Sequence, residues 1–163
     1  MPPINQITAD IIDASIHIHA DLGPGLFESA DEELLTAELG RRGLSVQRQL
    51  VIPFEYRGTK IEFGFRIDIL VEGRVPVELK CTERPAPIHL RQLLTYLRLM
   101  KLPVGLLVNF GGERLIDGVQ RIVNGYVDEQ VDHAETITLR SQRRRGHREN
   151  LCLCVLCDLC FFA

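Results

Sequence analysis

Asp68, followed by Glu78-Leu79-Lys80, is the part of this chain whose residue types could do chemistry. An aspartate, then an acidic residue and a lysine two apart, form the minimal set for holding a divalent metal against a phosphodiester. Hydrolysis of such a bond needs water made nucleophilic near neutral pH and stabilisation of a crowded, highly charged transition state. A bound divalent ion can supply both. Mg²⁺ is hard, prefers oxygen ligands and typically takes one or two protein carboxylates, a role that suits Asp68 and Glu78; Mn²⁺ is the alternative ion. Lys80, on the same strand face as Glu78, could orient the attacking water and offset carboxylate repulsion. An isolated Glu-x-Lys is ordinarily a solvated, ion-paired strand face. The weight therefore rests on the elements that carry these residues.

The alternation of side chains places them on two neighbouring strands. Ile61 to Val71 reads as one strand, Glu72-Gly73-Arg74 as a turn, and Val75 to Cys81 as the next. Val75, Val77 and Leu79 share one face, leaving Pro76, Glu78 and Lys80 on the other, so Asp68, Glu78 and Lys80 can converge on one side of a sheet. Val46 to Tyr56 reads as a preceding strand, joined through a hairpin turn at Arg57-Gly58-Thr59-Lys60. Upstream, Ile4 to Ala20 has the apolar stripe of a helix. A second helix runs from about Leu26 to Arg42, with Phe27, Ala30, Leu34 and Ala37 expected on one face and Gly43 as its stop. Downstream, His89 to Met100 reads as a helix buried through Leu90, Leu93, Leu94 and Leu97. Val104 to Asn109 is apolar enough for a central strand, and Leu115 to Val123 adds a short final element. The order is helix, helix, three strands, helix, strand, a mixed α/β sandwich around a small sheet.

Composition bounds the partners. The chain has 163 residues, 25% of them charged, and a net charge of -3. Residues 1–126 hold 14 basic and 16 acidic side chains. Affinity for a polyanion must then come from a local basic patch or a bound metal. Met1 to Ser15 lacks the basic and apolar regions of a secretion signal, and no apolar run is long enough to span a membrane, so a cytoplasmic protein without a membrane partner is expected. Residues 127–163 change character. Five arginines fall within residues 140–150, and Cys152, Cys154, Cys157 and Cys160 crowd together, too tightly for the two separated knuckles of an ordinary zinc finger. We read residues 1–126 as the folded domain and 127–163 as a divergent tail outside it.

Six blocks carry a family resemblance: Gly25-Leu-Phe-Glu28, Gly43-Leu-Ser-Val-Gln47, Gly64-Phe-Arg66-Ile-Asp68, Val77-Glu78-Leu-Lys80, His89-Leu-Arg-Gln92-Leu-Leu-Thr-Tyr96-Leu and Gly105-Leu-Leu-Val-Asn109-Phe. Together, over Ile4 to Tyr126, they resemble the GxxExxY proteins of the PD-(D/E)XK nuclease superfamily. The resemblance implies a restriction-endonuclease-like αβββαβ core, a mixed central sheet flanked by helices. It implies metal-ligand roles for Asp68, Glu78 and the helix glutamate Glu28, a catalytic role for Lys80, and a supporting Gln92–Tyr96 pair. Four residues apart on a helix, that pair is expected to point toward the acidic cluster, displaced from the leucine stripe. The implied activity is a Mg²⁺-dependent (or Mn²⁺-dependent) nuclease acting on nucleic acid, with DNA the expected substrate; a homodimer or a place in a larger protein assembly is compatible with it.

One position departs from the pattern: the family's tyrosine three residues after Glu28 is Asp31 here. If that tyrosine only spaces helix from sheet, the site is intact. If it positions substrate, the chain is an impaired nuclease, a nucleic-acid-binding or protein-interaction module. His19 and His89 titrate near neutrality but fall at helix ends, where capping or packing is their expected role. Arg66 and Arg91 are candidate phosphate contacts.

Overall fold

The computed structural model describes residues 1–125, so the expectations for residues 127–163, including the arginine run and the four crowded cysteines, lie outside the described residues. Two helices come first, α1 (Ile4–Leu22) and α2 (Glu28–Arg41). Three strands follow, β1 (Val46–Tyr56), β2 (Thr59–Val71) and β3 (Val75–Lys80), then helix α3 (Pro87–Met100) and strands β4 (Val104–Asn109) and β5 (Val119–Val123). The expected αβββαβ order is present, with one further helix before it and one further strand after it.

The five strands form one mixed sheet in the order β1-β2-β3-β4-β5. Only β3 and β4 run parallel, because α3 carries the chain back between them; the other neighbours are antiparallel. Strand β4 is buried along its whole length. Leu106 and Val108 join an apolar cluster with α1 and α2, while Leu107 joins another with Leu93 and Tyr96 of α3. Adjacent residues of one strand thus serve opposite layers, which is why Val104 to Asn109 reads as a continuous apolar run.

Local chemistry sets the ends of the elements. Pro87 occupies the first turn of α3, where its missing N–H costs nothing. Arg57 and Gly58 both take positive φ (50° and 82°), the backbone of a tight two-residue hairpin between β1 and β2. Before Ile69, β2 has no ladder partner in β3, so most of the β1–β2 hairpin projects as a two-stranded arm.

The face of α2 differs from its apolar pattern. Phe27 is exposed, Ala37 is exposed and Leu34 only half-buried, whereas Asp31, Glu32, Leu35 and Leu39 are buried. The pattern misleads because two of the buried positions are acids. Each is tolerated only through partners on distant elements, which no count of apolar residues reveals.

Candidate active site

Strand divergence creates the site. The β2–β3 ladder runs from Val71↔Val75 to Ile69↔Val77 and then stops. Continued by one step, that register sets Asp68 across from Glu78. As β2 peels away, the Leu79 N–H loses its strand partner, and Asp68 Oδ2 accepts from it at 2.9 Å. The carboxylate takes over the job of the missing ladder bond, which meets the requirement that a buried N–H be paired.

On its other side β3 pairs with β4, placing Glu78 beside Leu107 and Lys80 beside Asn109. Glu78 is therefore only 4% exposed. Its Oε1 lies 3.0 Å from Lys80 Nζ. Its Oε2 is buried and has no hydrogen-bond partner among the described residues. Lys80 Nζ also donates to the Leu79 carbonyl at 2.5 Å and lies 3.6 Å from Glu28 Oε1. Glu28 begins α2, where a carboxylate suits the positive end of the helix dipole. In this arrangement it faces the lysine while remaining exposed.

The electrostatics follow from burial. Burial pushes the Asp68 carboxyl above its ordinary range, only partly offset by the Leu79 N–H and the Lys80 charge. Glu78 is likewise raised, by burial first and then by the Asp68 charge, with Lys80 opposing. For Lys80, burial disfavours the ammonium, but the carboxylates of Glu78, Glu28 and Asp68 outweigh it and hold its pKa above the ordinary value. The lysine is thus a cation at neutral pH, able to donate protons in hydrogen bonds but not to accept one.

Helix α3 closes the opposite side. Gln92 Nε2 donates to the Tyr96 hydroxyl, and the Tyr96 ring stacks on Phe65 with centroids 4.2 Å apart. Tyr96 is not displaced from the apolar stripe, as its helix spacing suggested. It packs with Ile67, Leu93 and Leu107 in the core. Burial raises its pKa; the Gln92 bond opposes this, and the charges of Glu78 and Asp68 add to it. Arg66 also lies near enough for Asp68 to feel its charge. His19 has the packing role expected of it, donating from Nε2 to the Gly112 carbonyl at 2.9 Å.

The sequence reading did not foresee the contacts of several residues around the site. Asp31, in place of the expected tyrosine, is 2% exposed and accepts a hydrogen bond from the Cys81 thiol at 2.9 Å. Burial and this bond push the Cys81 thiol up to about 12. Glu32 is buried under Arg48 and Gln49. Asn109 accepts from the Thr82 N–H and donates to the Thr82 carbonyl, clamping the chain just after Lys80. One available signal was the four-residue spacing from Glu28 to Glu32, which puts both on one helix face.

The residues fit a hard divalent ion through two carboxylates rather than three. No group of three acidic, His or Cys side chains capable of holding a metal is assembled among the described residues. Asp68 and Glu78, with one buried oxygen lacking a partner, match the one or two carboxylates Mg²⁺ typically takes, water completing its shell.

A family model described as the PD-(D/E)XK nuclease superfamily matches residues 5–122, which include every one of these side chains. The chain belongs to the PD-(D/E)XK nuclease superfamily. The α/β architecture, a mixed five-stranded sheet flanked by helices, is that of the superfamily's restriction-endonuclease-like fold. Superfamily nucleases generally use divalent metals and act on nucleic acid, so membership points to nuclease chemistry. No curated protein matches the chain. The solved structure of SSO0001 is 16% identical over 83% of this chain and 84% of its own, with a TM-score of 0.36, too slight a likeness to bear on the assignment. No described helix is long and apolar enough to cross a membrane.

Proposed function

We propose that this protein is a divalent-metal-dependent nuclease of the GxxExxY type, hydrolysing phosphodiester bonds in DNA with Mg²⁺ or Mn²⁺. The observation that carries this reading is the Glu78 carboxylate, buried beside Asp68 and Lys80 with one oxygen left without a hydrogen-bond partner. Burying a carboxylate that way is costly unless something charged completes it. When bound, a divalent ion would supply a Lewis acid for the phosphate oxygens and acidify a coordinated water.

The residues divide the remaining work. Asp68 and Glu78 would hold the ion. Asp68 is fixed by the Leu79 N–H, so its free oxygen is directed rather than mobile. Lys80, kept cationic, is placed to donate to a water or a phosphate oxygen beside Glu78. Glu28 lies against that ammonium and would reach the ion directly or through water. Gln92 and Tyr96, bonded to each other on α3, are assigned a supporting role, the Gln92 amide toward a phosphate and the buried phenol as its anchor.

A second reading, a nucleic-acid-binding or protein-interaction module without turnover, draws on Asp31, which replaces the expected aromatic with a buried acid bonded to Cys81. One assay separates the two. Wild type, Asp68→Ala and Lys80→Ala are incubated with single- and double-stranded DNA and RNA in Mg²⁺ or Mn²⁺. Cleavage by wild type, lost in both variants, is the expected result. Equal cleavage by all three would refute the assigned roles, and binding without cleavage would establish the second reading.

A further inference from the structure

Glu32 is buried, yet neither the metal pair nor Lys80 uses it. It lies one turn after Glu28 on α2 and is 5% exposed. Its Oε1 accepts from Arg48 Nε at 2.8 Å and its Oε2 from Gln49 Nε2 at 2.5 Å. Both donors are on β1, the strand that flanks β2 on the side away from β3.

The second donor is unusual in its backbone. Gln49 has φ of 50°, the left-handed region that non-glycine residues rarely enter inside a strand. The β1–β2 ladder pairs Arg48 with Ile69 and Leu50 with Ile67. Gln49 is the position between, so the left-handed residue stands across from Asp68. A backbone of this kind is strained and persists only where its surroundings hold it. Glu32 bonds the side chains of Gln49 and of the residue before it.

We infer that Glu32 is a positioning residue: through Arg48 and Gln49 it locks the kink of β1 opposite Asp68 and so keeps the Asp68 carboxylate on the Leu79 N–H, aligned beside Glu78. Helix α2 thereby acts on the site in two ways, Glu28 on the lysine and Glu32 on the aspartate, from one face and one turn apart. Glu32 is not itself a metal ligand, because both of its oxygens are engaged by β1. The inference deepens the nuclease reading, in that the purpose of the alignment rests on it, while the coupling from Glu32 to Asp68 can be measured without metal or substrate.

The test compares Glu32→Gln with wild type by hydrogen exchange resolved to single amides, in EDTA. Exchange at the Leu79 amide is expected to rise about tenfold, as it would on weakening a hydrogen bond to a charged acceptor, while amides of β4 stay unchanged. Equal exchange at Leu79 in the two proteins overturns the inference. So does a uniform rise across β3 and β4, which would mark a merely structural residue. Gln49→Gly, which accepts the same φ without the side-chain bond, guards against misfolding of the first variant and is expected to raise Leu79 exchange selectively as well; no change there also overturns it. Mn²⁺ titration followed by electron paramagnetic resonance is the second readout. Glu32→Gln is expected to bind about tenfold more weakly, the usual cost of losing a ligand's supporting partner. If Leu79 exchange responds and wild type binds no Mn²⁺, the positioning role stands and the nuclease reading fails.

Discussion

Replacing Glu78 with glutamine should stabilise the metal-free protein while removing its response to metal. The substitution keeps the shape of a side chain that is 4% exposed and deletes its charge. The buried Oε2 has no partner, and leaving a charged atom so costs about 1–3 kcal/mol or more. Against this, the variant forfeits the 3.0 Å ion pair with a largely buried Lys80, a loss that the remaining charges of Glu28 and Asp68 partly offset. The raised pKa of Glu78 says which side prevails, since the environment as a whole, Lys80 included, favours the uncharged form. The expected net gain is about 1–2 kcal/mol at neutral pH, or about 2–8 °C in Tm for a chain of this size.

The pH dependence follows with a definite sign. A carboxyl whose pKa is higher in the folded protein binds its proton more tightly there. Its contribution to stability is full below the ordinary value, 4.5 for Glu78 and 3.8 for Asp68, and is lost as pH rises through the raised folded value. The gap between Glu78→Gln and wild type should therefore close near pH 4.5 and below, and open on the way to neutrality. Thermal unfolding in EDTA across that range measures it, and repetition with Mg²⁺ should raise the Tm of wild type but not of the variant. A variant that melts at or below wild type at pH 7 in EDTA, or a gap indifferent to pH, would refute the reasoning.

Gly111→Ala should destabilise by about 1–3 kcal/mol, because its Cβ would lie 2.5 Å from both the Thr82 nitrogen and oxygen and 2.7 Å from the Cys81 carbonyl carbon. Those are backbone atoms held by Asn109, and urea unfolding should show the loss without a change in m-value. Tyr96→Phe retains the stack on Phe65 and should cost no more than about 1.5 kcal/mol, whereas Tyr96→Ala should cost about 3–5 kcal/mol, as read from the same melts. Cys81, with its thiol pushed up to about 12, should resist iodoacetamide at pH 8. In Asp31→Ala the thiol loses its acceptor and the nearby negative charge, so peptide mapping by mass spectrometry should find Cys81 alkylated faster than in wild type.

The sequence by itself determined the elements and their order. Apolar periodicity placed β1 at Val46–Tyr56 and β4 at Val104–Asn109, the same bounds the structure has. It also put Asp68, Glu78 and Lys80 on adjacent strands, because a period of two and a three-residue turn leave little freedom in how a hairpin pairs. The buried face of α2 and the surroundings of the site were decided only by the tertiary structure. Asp31 and Glu32 look like solvent-facing acids along the chain, and their burial depends on Cys81, Arg48 and Gln49, which lie far from them in sequence. Periodicity registers apolar area, which is local to a residue. The partner that makes a buried charge tolerable is supplied by the fold, and so is the left-handed backbone of Gln49 opposite Asp68.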